Sequence, residues 1–167
     1  MEFKIGEKVV YPNHGIGVIE SIQDAGLSAA VKFYRLRLLA NDSTVMVPMA
    51  NSIEVGLRRV VSKKEITAVF GILRGREIAL TRDWKGRYQE NSDKMRTGAI
   101  QEVAAVLKCL TLLSHRKSLS YRERRMLDKA RYLIVSEIAE VEQLPSDKVE
   151  ARVDRAVRTS IRSEVDH

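Results

Sequence analysis

The only tryptophan of the chain lies in a short basic segment that could bind nucleic acid. Trp84 follows Arg82 and precedes Lys85, Arg87 and Tyr88. The flat apolar face of an indole can stack on a base or wedge between base pairs, while lysine and arginine neutralise the flanking phosphates. This segment is therefore the first candidate for a binding site.

A second interpretation of the same segment is that its residues form part of a protein core. The helical spacing i, i+4, i+7, i+11 is shared by Trp84, Tyr88, Asn91 and Met95. Such a stripe is typical of a helix that packs against its neighbours. Periodicity alone favours burial of Trp84 over exposure.

Residues 116–131 form a second basic segment. Its positive residues are Arg116, Lys117, Arg122, Arg124, Arg125, Lys129 and Arg131. They are interrupted by Glu123 and Asp128, and a run of this kind is as often a solvated helix face as a DNA-binding surface. No helix with a base-reading pattern is recognisable, so any contact with DNA would depend on charge and shape.

The residues needed for catalysis or for metal and cofactor binding are scarce. Gly15-Ile16-Gly17 lacks the further glycine and the following helix of a dinucleotide site. One cysteine, Cys109, excludes a cysteine-based zinc site, and its apolar surroundings predict inert burial. Acidic pairs such as Glu137 and Glu140 are expected on solvated helix faces. We therefore expect no enzyme activity, no metal and no cofactor.

Composition is that of a globular protein with an anionic partner. The 167 residues are 44% hydrophobic and 31% charged, with a net charge of +7 and a pI near 9.7. A basic balance favours association with nucleic acid. No apolar run is long enough to cross a membrane, and no signal-peptide core follows Met1. We expect a cytoplasmic monomer.

Glycine and proline divide the chain near residue 60. Five of the nine glycines and two of the three prolines precede that point, and no glycine follows Gly98. Because these residues make turns and helix breaks, the first part favours short strands and the last part long helices. We predict an α+β protein in which a small antiparallel barrel (residues 1–60) precedes an all-helical domain (residues 61–167).

Short β-rich runs separated by turns account for the first domain. About five strands are predicted in the first 60 residues, among them 8–11, 17–23, 31–39 and 44–47. A strand such as Tyr34–Leu38 or Val45–Val47 could pair with the sheet of a partner, although protected edges are commoner.

Two capping boxes predict helix starts in the second domain. Ser62 with Glu65 begins a helix that should end near Gly75, and Ser120 with Glu123 begins one that should reach about Gln143. Asp83 is a candidate cap for the Trp84 segment. Between these helices, a segment that is apolar on most sides is predicted as the centre of a bundle: Ile100, Val103, Ala104, Val106, Leu107, Leu110 and Leu113. A last helix starts at Pro145-Ser146.

Four ordered motifs resemble the CarD/CdnL family of bacterial transcription regulators. They are Phe3-Lys4-x-Gly6-x-x-Val9-Val10-Tyr11-Pro12-x-x-Gly15-x-Gly17, Val47-Pro48 with Val55-Gly56-Leu57-Arg58, Trp84-x-x-Arg87-Tyr88, and Leu119-Ser120-x-x-Glu123-Arg124-x-Met126-Leu127-x-x-Ala130-Arg131. The similarity spans about residues 1–143.

The resemblance implies a function for each domain. In that family a Tudor-like barrel binds the β1 lobe of the RNA polymerase β subunit strand to strand. Arg35, Met46 and Pro48 would lie in its polymerase-facing part. The helical domain contacts promoter DNA at the upstream edge of the transcription bubble, where a tryptophan wedge stabilises the open complex.

By position, Trp84 would be that wedge, with Lys85, Arg87 and Tyr88 around it, and Arg124 and Arg125 would meet the DNA backbone. Some relatives carry a basic residue in place of Met46, so the polymerase contact would be more apolar here.

Two other functions are compatible with the residues. The chain could be a protein-interaction adaptor of the polymerase or repair machinery with no direct DNA role. It could also be an RNA-binding barrel protein, for which Phe33 and Tyr34 are the only adjacent aromatic candidates.

Overall fold

The protein is described by a computed structural model that covers residues 2–25, 28–75 and 84–165. At positions 25, 28–30, 84–85 and 162–165 it describes the backbone alone. The chain divides into two compact units, Met1–Val60 and Val61–His167, which we call the sheet unit and the helical unit. The predicted α+β class is confirmed: a five-stranded antiparallel sheet precedes five helices.

The sheet unit contains five antiparallel strands. They are β1 (Lys8–Tyr11), β2 (Gly15–Ala25), β3 (Ser28–Leu38), β4 (Thr44–Pro48) and β5 (Arg58–Arg59). Their spatial order is β4-β3-β2-β1-β5. Asn13 and Gly15 have φ angles of 67° and 91°, which close the predicted turn between β1 and β2. Among the described residues β4 pairs with β3 alone, so β4 remains an edge strand, which full closure of a barrel would have removed.

Alternation along the strands places one set of apolar side chains in the core of the sheet unit. The buried core cluster consists of Phe3, Val9, Ile19, Tyr34, Leu36, Val47 and Leu57, and Val10, Ile16 and Leu38 are buried outside it. The Phe3 backbone N–H donates to the Tyr34 hydroxyl at 3.0 Å, and the two rings meet edge to face at 5.7 Å. This buried hydrogen bond ties the start of the chain to β3.

The helical unit contains five helices. They are α1 (Lys63–Arg74), α2 (Trp84–Thr97), α3 (Ile100–Ser114), α4 (Tyr121–Glu142) and α5 (Ser146–Val165). The capping box of Ser62 and Glu65 is present in full, and Gly75 ends α1 as predicted. Ser120 caps α4 by accepting a hydrogen bond from the Glu123 backbone N–H at 3.2 Å.

Helix α3 lies at the centre of the helical core, as its apolar sequence predicted. Every one of the seven apolar residues singled out in it is buried. The prediction that Glu137 lies on a solvated face is wrong: its side chain is 3% exposed, and its Oε2 accepts from the Val61 backbone N–H at 2.9 Å. Sequence periodicity missed this because the two residues are 76 positions apart. Within the described ranges, no helix has the length and apolar character of a membrane span.

Candidate nucleic-acid interface

The segment around Trp84 forms the first turns of α2. Trp84 and Lys85 are its first two residues, and their side chains lie outside what the structure describes, as does the predicted cap Asp83. On the next turns Asn91 and Met95 are buried, as the core-facing stripe predicted. The helix therefore packs with this face inward, whereas the orientation of the indole stays a prediction.

Contrary to what the family resemblance predicted, Arg87 does not lie at a surface that could face DNA, because its side chain is buried in the helical unit. Its side chain is 4% exposed, and its Nε donates to Glu123 Oε2 at 2.9 Å, with Glu123 only 2% exposed. A guanidinium enclosed in this way cannot reach a phosphate directly. Its role is to fix the start of α2 against the start of α4.

The Arg87–Glu123 pair is compensated electrostatically. Burial alone would raise the pKa of the Glu123 carboxyl, but the hydrogen bond and charge of Arg87, together with hydrogen bonds involving Ser120, hold that pKa below its ordinary value. The carboxylate is thus ionised at neutral pH and remains a partner for the guanidinium. Sequence reasoning assigned Glu123 a capping role and missed this pairing across 36 residues.

A second contact joins the same two helix starts. The Arg122 guanidinium carbon lies 5.6 Å from the centroid of the Tyr88 ring, a cation–π distance. Tyr88 is half-buried and Arg122 is exposed. A buried ion pair and a contact at the surface therefore connect the first turns of α2 and α4.

The first turns of α4 also present cations to solvent. Arg122, Arg124 and Arg125 are exposed, and no described carboxylate forms an ion pair with them. Tyr121 is 74% exposed, with the Arg125 guanidinium carbon 5.7 Å from its ring centroid. The predicted surface positions of Arg124 and Arg125 fit this arrangement, and their contact with DNA remains a prediction.

In the sheet unit, two of the three predicted polymerase-facing residues share a surface. Arg35 on β3 is the cross-strand partner of Met46 on β4, and both side chains are exposed, Met46 at 43%. Pro48 is half-buried and pairs with Phe33. Arg35 and Met46 are thus exposed cross-strand neighbours, with Met46 on the edge strand.

The described residues contain no group of three or more histidine, cysteine, aspartate or glutamate side chains that could hold a metal ion. Cys109 is half-buried, and the Asn91 amide nitrogen lies 3.9 Å from its sulfur. Burial raises the pKa of the Cys109 thiol, so the reactive thiolate is disfavoured at neutral pH.

Comparison with known proteins finds matches for both units. The family described as CarD-like/TRCF RID domain matches residues 3–61, and the family described as CarD, C-terminal domain matches residues 68–154. A protein of Bacillus subtilis (strain 168) that carries the name "Putative transcription factor YdeB" is 31% identical over 150 residues, which cover 89% of this chain and 98% of that protein.

Proposed function

The chain belongs to the CarD family of non-enzymatic transcription regulators and contains an RNA polymerase-interacting domain, and from that premise we propose that it stabilises the open promoter complex. The sheet unit docks on the β1 lobe of the RNA polymerase β subunit. The helical unit brings Trp84 to the upstream edge of the transcription bubble, where the indole enters the minor groove and cations of α4 contact the DNA backbone.

The observation that carries this proposal is the buried Arg87–Glu123 ion pair. It fixes the turn of α2 that contains Trp84 next to the exposed Arg122, Arg124 and Arg125 of α4. A wedge needs a rigid mount, because ordering it upon binding would consume the free energy that stacking provides. It also needs phosphate contacts close by to hold the duplex against it.

The energetics suit a polymerase-bound factor. Stacking an aromatic side chain on a base contributes about 1–3 kcal/mol, which changes a melting equilibrium by roughly 5- to 150-fold. Such a contact is weak on its own. Docking on the polymerase raises the effective concentration of the helical unit near the DNA, so a weak contact can still act.

The edge of the sheet supports docking by strand addition. Strand β4 has one neighbouring strand among the described residues, so the backbone groups on its other side are available to a partner strand. Met46 offers an apolar contact and Arg35 a charged one beside that edge.

The first experiment tests the wedge. Trp84→Ala should leave polymerase binding unchanged and shorten the lifetime of the open complex at a promoter by about fivefold or more. Trp84→Phe is the matched control, because it keeps an aromatic face and should retain part of the lifetime. An unchanged lifetime in the alanine variant, with polymerase binding intact, would refute the wedge.

A second experiment tests the docking edge. Met46→Glu replaces an apolar side chain on β4 by a charged one of similar size. It should weaken binding to the β1 lobe of the polymerase, as measured by calorimetry. Ile5→Glu is the control, since Ile5 is 64% exposed in the same unit and precedes strand β1 of this protein. Equal affinities of the two variants would contradict docking at β4.

The adaptor alternative makes a different prediction. In that case the wild-type protein binds polymerase but shows no salt-sensitive retention on DNA.

A further inference from the structure

The solvent face of α4 carries two exposed tyrosines that the proposed wedge does not use. Tyr121 is 74% exposed and Tyr132 is 46% exposed, and they are the only strongly exposed large apolar side chains among the described residues of the helical unit. Both rings thus present a large part of their apolar surface to solvent. They are therefore candidates for contact with a partner.

Cations lie between the two rings on the same face of the helix. Tyr121, Arg125 and Tyr132 are separated by four and seven residues, so they lie above one another on an α-helix. Lys129 lies beside them, and all four residues are exposed. Eleven residues at 1.5 Å per residue place the two tyrosines about 16 Å apart along the helix axis. We call these four residues the α4 stripe.

The charge of the α4 stripe contrasts with that of the neighbouring helix side. Arg131 is neutralised by α5, through Glu150 at 3.4 Å and through Asp154. In the described part of the chain no carboxylate pairs with Arg125 or Lys129. Asp128 is the one exposed acidic residue among them. A surface on which two aromatic rings flank two cations that form no ion pair is complementary to a polyanion that has flat apolar groups.

We propose that the α4 stripe binds an unpaired DNA strand. Bases stack on Tyr121 and Tyr132, while Arg125 and Lys129 neutralise the intervening phosphates. A duplex does not fit this role, because the faces of its bases are covered by neighbouring pairs. The proposal rests on the proposed function, since an open promoter complex supplies an unpaired strand close to the wedge.

The Tyr121–Arg125 contact prepares the first stacking position. The guanidinium carbon is 5.7 Å from the ring centroid, so the arginine covers one side of the ring and limits its rotation. Because the tyrosine is 74% exposed, a base can still approach it from solvent. An ordered ring loses less conformational entropy upon binding than a mobile one.

The test measures binding of a fluorescently labelled twelve-residue oligo-dT, and of a blunt duplex of the same length, to the full chain at low salt. The double variant Tyr121→Leu/Tyr132→Leu should lose about tenfold or more of its affinity for the single strand and keep its affinity for the duplex. Leucine preserves apolar bulk at exposed positions, so folding is not at risk. Tyr121→Phe/Tyr132→Phe keeps both rings and should bind the single strand like the wild type.

Three results would overturn the proposal: no binding of the oligonucleotide by the wild type, equal loss for single strand and duplex in the leucine variant, or loss in the phenylalanine variant. The first of these would favour a protein partner for the tyrosines instead. The assay contains neither polymerase nor promoter, so its failure is distinct from failure of the wedge, which the Trp84→Ala lifetime reports.

Discussion

The two units differ in where they place their charges. In the sheet unit the ion pairs lie at the surface, as between Arg59 and Glu7 at 2.6 Å and between Arg37 and Asp42 at 3.2 Å. In the helical unit the Arg87–Glu123 pair is almost fully enclosed. The sheet unit is thus held by its apolar core and its strand pairing, whereas the helical unit depends in addition on a buried ion pair.

This difference indicates what each unit must keep in place. A sheet edge is defined by backbone hydrogen bonds that any side chains compatible with the register can support. The relative position of two helix starts has no such backbone ladder. A buried ion pair tolerates only one arrangement, because displacement of either partner leaves an uncompensated charge. The pair therefore specifies the relative position of the starts of α2 and α4.

The largest expected effect comes from removing one member of that pair. Arg87→Met leaves the Glu123 carboxylate buried without its guanidinium, and we expect the helical unit to lose about 3–5 kcal/mol of unfolding free energy. Arg87→Met/Glu123→Met removes both charges and should recover most of that loss. Urea denaturation followed by helical circular dichroism measures this unit alone, since every described α-helix belongs to it. Equal stability of the single and double variants would contradict the explanation that an uncompensated buried charge causes the loss.

The counterpart in the sheet unit is a neutral hydrogen bond. Tyr34→Phe removes the hydroxyl that accepts from the buried Phe3 N–H, and we expect a loss of about 1–3 kcal/mol. Hydrogen exchange of the β1 and β2 amides would measure it. An equal loss of stability in the helical unit would contradict the expectation that this hydrogen bond stabilises the sheet unit alone.

The pH dependence should also separate the units. The pKa of Glu123 is below its ordinary value of 4.5 in the folded protein. Its contribution to stability is therefore complete above pH 4.5 and is lost as the pH falls below that value towards the folded pKa. Glu123→Gln should flatten the acid side of the helical stability profile, as measured by urea denaturation at successive pH values.

Glu7→Gln is the matched comparison for this experiment. The pKa of Glu7 is also lowered, chiefly because the Lys4 backbone N–H donates to its carboxylate. Because Glu7 belongs to the sheet unit, this variant should leave the acid profile of the helical signal unchanged. A flattened helical profile in the Glu7 variant would contradict the assignment to Glu123.

The smallest effect is expected at the surface of the sheet unit. Arg59→Gln breaks the ion pair with Glu7, in which the Arg59 side chain is 51% exposed. Exposed pairs contribute about 0–1 kcal/mol, so the loss should be under about 1 kcal/mol and should shrink in high salt. A loss as large as that of Arg87→Met would remove the distinction between the units.

The sequence predicted what local chemistry decides. The capping serines at 62 and 120, the glycine that ends α1 and the apolar run of α3 lie where they were expected, because each depends on residues within a few positions. The positions of β1 to β4 followed from the short β-rich runs in the same way, whereas β5 was expected only as a fifth strand without a position. Family motifs added an expectation for function that local patterns did not contain.

What the sequence did not predict depends on distant pairing. Arg87 was expected beside DNA and Glu137 at the surface. Both are buried instead, and their hydrogen-bond partners lie 36 and 76 positions away in the sequence. Charge runs show that arginines and glutamates are present, but they do not show which of them are enclosed. The exposure of Tyr121 likewise becomes evident only when the faces of α4 are assigned in space.

The short length of β4 limits how tightly a partner can be held there. The strand spans five residues from Thr44 to Pro48, and the final proline has no N–H to donate. A partner strand can therefore form only a few backbone hydrogen bonds with β4. Few bonds favour a fast off-rate, so in the docking proposed above the contact at β4 would be short-lived.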